Sequence, residues 1–299
     1  MKYKVMAGVL AMALSTTAAS AITLEISITN NQESDGLFLT PLYTAFHNGS
    51  FDAFDVGGFA SDGLELIAEE GAPAPGALPD AVDPADFTTI QQERLLAAPS
   101  SQGAPIFGPE GFGSAEGQPP VIDAGETATI QLHVDTENRY FTFISMVIPS
   151  NDFFIGNDDP TAFEIFDEEG NFVFDEIIEV TLGDVYDAGT EINDQGEGGG
   201  AAFNPIGGGF GAGAEENLAI ALADISSLFG SPSPVGPRAG AGFFEAYDDD
   251  GDKPAFPFND SLASISISVV PVPAGLPLAL SGIAAFGFFR RQQKRKAQA

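Results

Sequence analysis

Carboxylates are the residues of this chain best supplied for chemistry: 43 Asp and Glu stand against 11 Lys and Arg, two His and no Cys. Three of them are placed at ordered turns. Asp152 follows the apolar run Tyr140 to Ile148, which is rich in β-branched and aromatic residues, reads as a buried strand and is ended by Pro149. Bulky apolar residues, Phe153-Phe154-Ile155, come directly after it. Asp187 and Glu191 flank a tight turn at Ala188-Gly189. Three carboxylates on two ordered loops suit a hard cation, because calcium takes six to eight oxygen ligands and tolerates irregular loop geometry. In so acidic a chain the same side chains also fit a solvated surface, and residue type alone leaves both readings open.

Other chemistries find less support. A chain without Cys has no disulfide framework, zinc–thiolate site or cysteine nucleophile. No G-x-S-x-G, H-E-x-x-H or G-K-[ST] motif occurs, and the Gly-rich stretch after Glu197 is followed by no lysine that could cradle phosphate. His47 and His133 are far apart in sequence, and His133 fits an exposed strand position. A carboxylate pair of the kind that hydrolyses glycosides stays open, since that assignment needs a measured separation. Tyr247-Asp248-Asp249-Asp250-Gly251-Asp252 hints at a second calcium loop, but aligned on Gly251 it has Ala246 first and Pro257 twelfth, so it fails as an EF-hand.

The elements that must position these residues are mostly strands. Ile22 to Thr29 alternates, with Leu24, Ile26 and Ile28 on one face, and Thr127 to Val134 does the same with Ile130, Leu132 and Val134 inward. Leu37 to Phe46, Phe163 to Phe166, Glu176 to Leu182 and Ala263 to Val269 complete the strand set, with Glu168-Glu169-Gly170-Asn171 as a hairpin turn. Ser61 to Glu70 predicts a short helix capped by Ser61, and Asp86 to Ala98 and Glu215 to Leu228 two further short helices. Pro99 to Pro120 reads as an exposed loop inside one domain.

Four short blocks carry a family resemblance. Asn151-Asp152-Phe153-Phe154-Ile155-Gly156 resembles the (S/N)-D-x-F-(V/I)-G signature of spondin domains, and Tyr186-Asp187-Ala188-Gly189-Thr190-Glu191 their Y-D-A-G-T-(D/E) signature. Upstream, His47-Asn48-Gly49-Ser50-Phe51-Asp52 and Ala60-Ser61-Asp62-Gly63-Leu64-Glu65 are similar to the H-(D/N)-G-S-F-D and A-S-x-G-L-E blocks of bacterial members. The resemblance implies an all-β fold, an antiparallel β-sandwich with long loops and one or two short helices, binding one calcium ion. Carried over by motif position, the metal ligands are Asp152, Asp187 and Glu191. It also implies a non-enzymatic, secreted binding or adhesion module; a secreted hydrolase working through a carboxylate pair is the alternative.

The ends of the chain carry addresses. Lys2 and Lys4, an apolar core from Val5 to Leu14 and Ala19-Ser20-Ala21 make a secretory signal over residues 1–21, with cleavage before Ile22. The sandwich domain then spans 22–270. In 271–299, Val270-Pro271-Val272-Pro273-Ala274-Gly275 precedes the apolar run Leu276 to Phe289 and a basic tail from Arg290 to Lys296. This arrangement resembles the PEP-CTERM class of sorting signals and within it the V-P-L-P-A variant, with Val272 where that variant has Leu. It implies contact with a membrane and a sorting protease, and placement at the cell surface or outside the cell. All 43 acids lie between Glu25 and Asp260, whereas that body keeps only Arg94, Arg139, Arg238 and Lys253 as Lys or Arg. Such a body repels nucleic acid and anionic lipid, so the expected partners are calcium and an exopolysaccharide or surface protein, with no nucleic acid.

Overall fold

The computed structural model describes residues 21–33, 36–75, 85, 88–109, 120–148, 150, 152–181, 184–190, 223–224 and 261–271. The chain forms β1 (Ala21–Asn30), β2 (Phe38–Leu39), β3 (Leu42–His47), α1 (Asp62–Glu70), α2 (Ile90–Ala97), β4 (Gln102–Ile106), β5 (Thr127–Asp135), β6 (Tyr140–Ile148), β7 (Phe153–Gly156), β8 (Phe163–Glu164), β9 (Ile177–Thr181), β10 (Val185–Asp187), β11 (Ala223–Asp224) and β12 (Ser261–Val269). Among the described residues the fold is all-β and antiparallel, two sheets with two short helices.

The smaller sheet has the order β5-β1-β12-β9. Its strands alternate, as a sheet with one wet face must. Leu24, Ile26 and Ile28 of β1 are fully buried, and Ile26 lies between Ile130 of β5 and Ile267 of β12. The opposite face carries a Ser/Thr array, with Ser27 between Thr129 and Ser266, and Thr29 between Thr127 and Ser264. The larger sheet runs β11-β10-β7-β6-β3-β4, with β2 and β8 also paired to β6. Both of its faces are covered. Phe141, Phe143 and Val147 of β6 face the small sheet in the main core, whereas Ile144 joins a second cluster with Tyr43, Phe154 and residues of α1. This is why β6 is one continuous apolar run rather than an alternating one.

Ser61 caps α1, its side chain accepting from Leu64 N at 3.2 Å. Glu93 of α2 then reaches back to the same helix start, accepting from Ser61 Oγ at 2.7 Å and Gly63 N at 2.9 Å. A carboxylate at a helix N-terminus meets the free amides and the positive end of the dipole, so Glu93 joins the two helices.

Four sequence expectations are corrected. Gln102–Ile106, expected within a loop, is a strand paired to β3. Gly103 lies so close to β3 that a Cβ there would stand 2.5 Å from the Thr44 carbonyl oxygen, and Pro105 is tolerated because β4 ends the sheet order. The turn at Glu168–Gly170 exists, closed by an isolated bridge between Phe166 and Phe172, but the strands around it are not hairpin partners. β8 pairs with β6 in the large sheet and β9 with β12 in the small one, so the chain crosses the sandwich there. Ala223–Asp224, expected in a helix, pairs with Tyr186 and Asp187 as a strand. The helix beginning at Asp86 is shorter than expected and starts at Ile90. Residues 1–20 of the secretory signal expected over 1–21, residues 247–252 and residues 272–299 lie outside the described residues, among which no helix is long and apolar enough to cross a membrane.

Candidate metal centre

Asp152 and Asp187 come to the same end of one strand pair. β7 and β10 run antiparallel with Phe153 opposite Asp187 and Phe154 opposite Tyr186. One residue beyond that register, Ala188 N donates to the Asp152 carbonyl at 3.1 Å. The Asp152 side chain is fully buried, and its Oδ2 accepts from Thr190 N at 2.9 Å and Thr190 Oγ1 at 3.4 Å. Asp187 Oδ1 accepts from Gly189 N at 2.8 Å, closing an Asx turn. Gly189 has φ 67, a left-handed conformation that a residue with a Cβ adopts at a cost. The Y-D-A-G-T block is therefore a loop whose tip is bonded to the Asp152 carboxylate.

Glu191, the third expected ligand, lies outside the described residues. Among the described residues no three His, Asp or Glu side chains come together as a metal-holding group. The two carboxylates that are described do fit a hard cation: both are oxygen donors at one end of adjacent strands, and one is out of water. Burial disfavours an isolated anion, and a bound divalent cation is one means of offsetting that cost.

An aromatic cluster holds the strand pair. Phe54 stands edge-on to Phe154 with ring centroids 4.9 Å apart and to Tyr186 at 5.0 Å, while Phe154 and Tyr186 lie 5.7 Å apart. Phe51 and Phe54 from the loop after β3, Leu64 from α1, Phe154 from β7 and Ala188 from the turn share one hydrophobic cluster, with Tyr186 packed against it. All four sequence blocks thus meet on the outer face of the large sheet. The sequence blocks give no sign of the contact that Phe51 and Phe54 make with the carboxylate-bearing strands.

His47 opens the first block and is fully buried. Its Nδ1 accepts from Gly49 N at 3.1 Å, so Nε2 carries the proton and donates to Thr142 Oγ1 at 3.0 Å. Burial, and then the nearby Arg94 guanidinium, lower its pKa to about 4. Arg94 is itself buried, donating to Tyr43 Oη at 2.6 Å and to the Ser101 carbonyl at 2.7 Å. Burial raises the Tyr43 pKa to about 12, against the lowering effect of Arg94. These bonds hold the packing of β3, α2 and the start of β4. His133 is exposed, as expected, and bonds Thr23 across β5 and β1. Near the first block, partial burial and then the neighbouring Asp55 hold the Asp52 carboxyl above its ordinary range.

A family model, the spondin N-terminal domain (Spondin_N), matches residues 36–196, just over half of the chain. The chain belongs to the spondin N-terminal domain family. The matched span contains all four blocks and runs from before β2 to beyond β10, leaving β1 and β12 outside it. No curated protein matches the chain. Spondin domains are not a known enzyme family, and membership supports an extracellular, binding-type module.

Proposed function

We propose that this spondin-domain protein is a secreted, non-enzymatic, calcium-stabilised binding module of the cell surface or matrix, with Asp152, Asp187 and Glu191 supplying side-chain oxygens to one calcium ion. The observation that carries the reading is the fully buried Asp152 carboxylate, at the same end of one strand pair as Asp187 and bonded to the tip of the second signature loop. When bound, calcium supplies positive charge and further cross-linking. The chain's own contribution is the Thr190–Asp152 bond and the Phe54–Phe154–Tyr186 packing, which hold the loop ends in place. The terminal segments support export through the 1–21 signal and sorting through 271–299, where a membrane protease cuts near Ala274. An exopolysaccharide or a surface protein is the partner, and the acidity of the body argues against nucleic acid.

Thermal melting with and without calcium tests the site. Extracellular calcium sites have dissociation constants near 10⁻⁴–10⁻³ M, on the order of magnitude at which ten-fold excess ligand stabilises by about 1.4 kcal/mol. A rise in Tm is expected, and Asp187→Ala removes most of it. An equal EDTA shift in the wild type and Asp187→Ala sinks the site. The intact mass of protein from the native host reads the ends in the same preparation: a species that keeps residues 275–299 rules out the sorting signal.

A further inference from the structure

The turn after β3 brings together the parts of an intramolecular reaction. Asn48 and Gly49 are adjacent, Asn48 is exposed, and His47 before them is fully buried. Gly49 N donates to His47 Nδ1 at 3.1 Å. Asn48 Oδ1 accepts from Ser50 N at 3.2 Å and from Ser50 Oγ at 2.6 Å. Ser50 Oγ also stands 3.3 Å from the Ala97 carbonyl oxygen; with one hydroxyl proton to give, it serves the shorter contact. The bonds from Ser50 draw the Asn48 side chain forward along the chain, towards the Gly49 amide. Gly49 has φ 91 and no side chain to crowd that nitrogen. A nucleophilic nitrogen, a base on its proton and two donors on the carbonyl it would attack thus lie within residues 47–50.

We propose that Asn48–Gly49 is a self-modification site, where the Gly49 nitrogen displaces ammonia from the Asn48 side chain to form a succinimide that water then opens. In the first step a bond forms between Gly49 N and Asn48 Cγ while the amide proton passes to His47 Nδ1. The N–H and O–H of Ser50 hold the negative charge that develops on Asn48 Oδ1. The Cγ–Nδ2 bond of Asn48 then breaks, and His47 gives the proton to the departing nitrogen, which leaves as ammonia. His47 Nε2 keeps its bond to Thr142 throughout. Water, which reaches the exposed Asn48, adds to one of the two ring carbonyls. Opening at Cγ leaves an aspartate. Opening at the backbone carbonyl leaves an isoaspartate, with an added methylene in the main chain. Both products gain a carboxylate, and the second also lengthens the link between β3 and Phe51, a buried anchor of the covered core. Burial keeps the imidazole neutral and able to accept, but a base with a pKa of about 4 is far from the optimum at neutral pH. The expected acceleration is therefore about ten-fold, below the roughly 10²–10⁴-fold of a well-tuned base. The inference does not rest on the calcium site.

Peptide mapping by mass spectrometry tests the proposal on the full chain, aged at neutral pH both folded and in urea. The peptide holding Asn48 is read for loss of ammonia and for the later exchange of NH₂ for OH. The folded chain should lose Asn48 about ten-fold faster than the unfolded chain, in which His47 and Ser50 are no longer held against the pair. His47→Gln, which keeps an acceptor but no base, should slow the folded chain to the unfolded rate. Ser50→Ala should slow it several-fold; because that side chain is exposed, this variant carries the test should His47→Gln not fold. A folded rate equal to or below the rate in urea overturns the proposal, because the turn would then lock the amide rather than activate it. So does a folded rate that neither variant lowers.

Discussion

Strand β1 and strand β6 both run through the inside of their sheets, yet β1 buries every second residue and β6 buries both of its faces. The difference lies in what each sheet has behind it. Behind β1 no described element packs, so its outward residues, Thr23, Glu25, Ser27 and Thr29, are polar and only partly buried. Behind β6 lie α1 and the loop carrying Phe51 and Phe54, so Ile144 and Phe154 on that side are core residues. The family blocks all fall on the covered side. A second core is what lets loops far apart in sequence hold fixed positions near Asp152 and Asp187.

The contrast breaks if the covered side is not a true core. Phe154 is fully buried between Phe54 and Tyr186. Phe154→Ala should destabilise by about 3–5 kcal/mol, the usual range for emptying a Phe site. Ser266→Ala, on the open face, should stay within about 0.5 kcal/mol. Urea midpoints of the two variants measure both. Similar midpoints would mean that the aromatic cluster is surface packing and cannot hold the signature strands.

The same contrast explains what was legible in the chain. The small sheet could be read almost residue by residue, because one wet face imposes strict alternation from Leu24 to Ile28 and from Ile130 to Val134. β6 could be read from its length and β-branched content. β4 could not: Gly103 and Pro105 are turn residues by habit, and only the close approach to Thr44 makes Gly103 a strand residue. The crossing from β8 to β9 was hidden for a similar reason, since a good turn at Gly170 says nothing about which sheet receives each strand. At the candidate site, motif spacing identified Asp152 and Asp187, whereas the Phe54–Tyr186 packing between them is a tertiary contact with no local signature.

Acid should act on the covered side through His47. Its folded pKa is about 4, below the ordinary 6.5, chiefly through burial. The unfolded chain therefore binds the extra proton first, and stability falls as pH drops from about 6.5 towards 4. Protonation also sets an Nδ1–H against the Gly49 N–H that now donates to it. Between pH 7 and 4.5 the wild type should lose about 2–3 kcal/mol to this group. His47→Gln should lose less over the same interval by that amount, since it has no ring to titrate. Relief of repulsion among the many carboxylates works in the opposite direction in both proteins, so the difference between the two pH slopes is the readout. Parallel slopes would show that His47 is not a buried neutral imidazole.

The finest test makes one substitution in both regions. Thr142 on β6 is buried, and its Oγ1 receives His47 Nε2 at 3.0 Å and Asn157 Nδ2 at 3.4 Å. Thr142→Val keeps the shape and removes the acceptor, leaving a buried imidazole N–H unsatisfied at a cost of about 1–3 kcal/mol. Thr29 on β1 also bonds a neighbour, Thr127, at 2.8 Å, but in contact with solvent. There water replaces the lost partner, and the β-branched Val suits a strand as well as Thr does. A cross-strand Thr pair contributes about 0.2–1 kcal/mol, so Thr29→Val should cost less than about 0.5 kcal/mol and leave the fold intact. Equilibrium unfolding of the two variants at pH 7 compares them directly. If Thr29→Val costs as much as Thr142→Val, the outer hydroxyls are structural bonds of the sheet, and the contrast between its open face and the covered side of β6 fails.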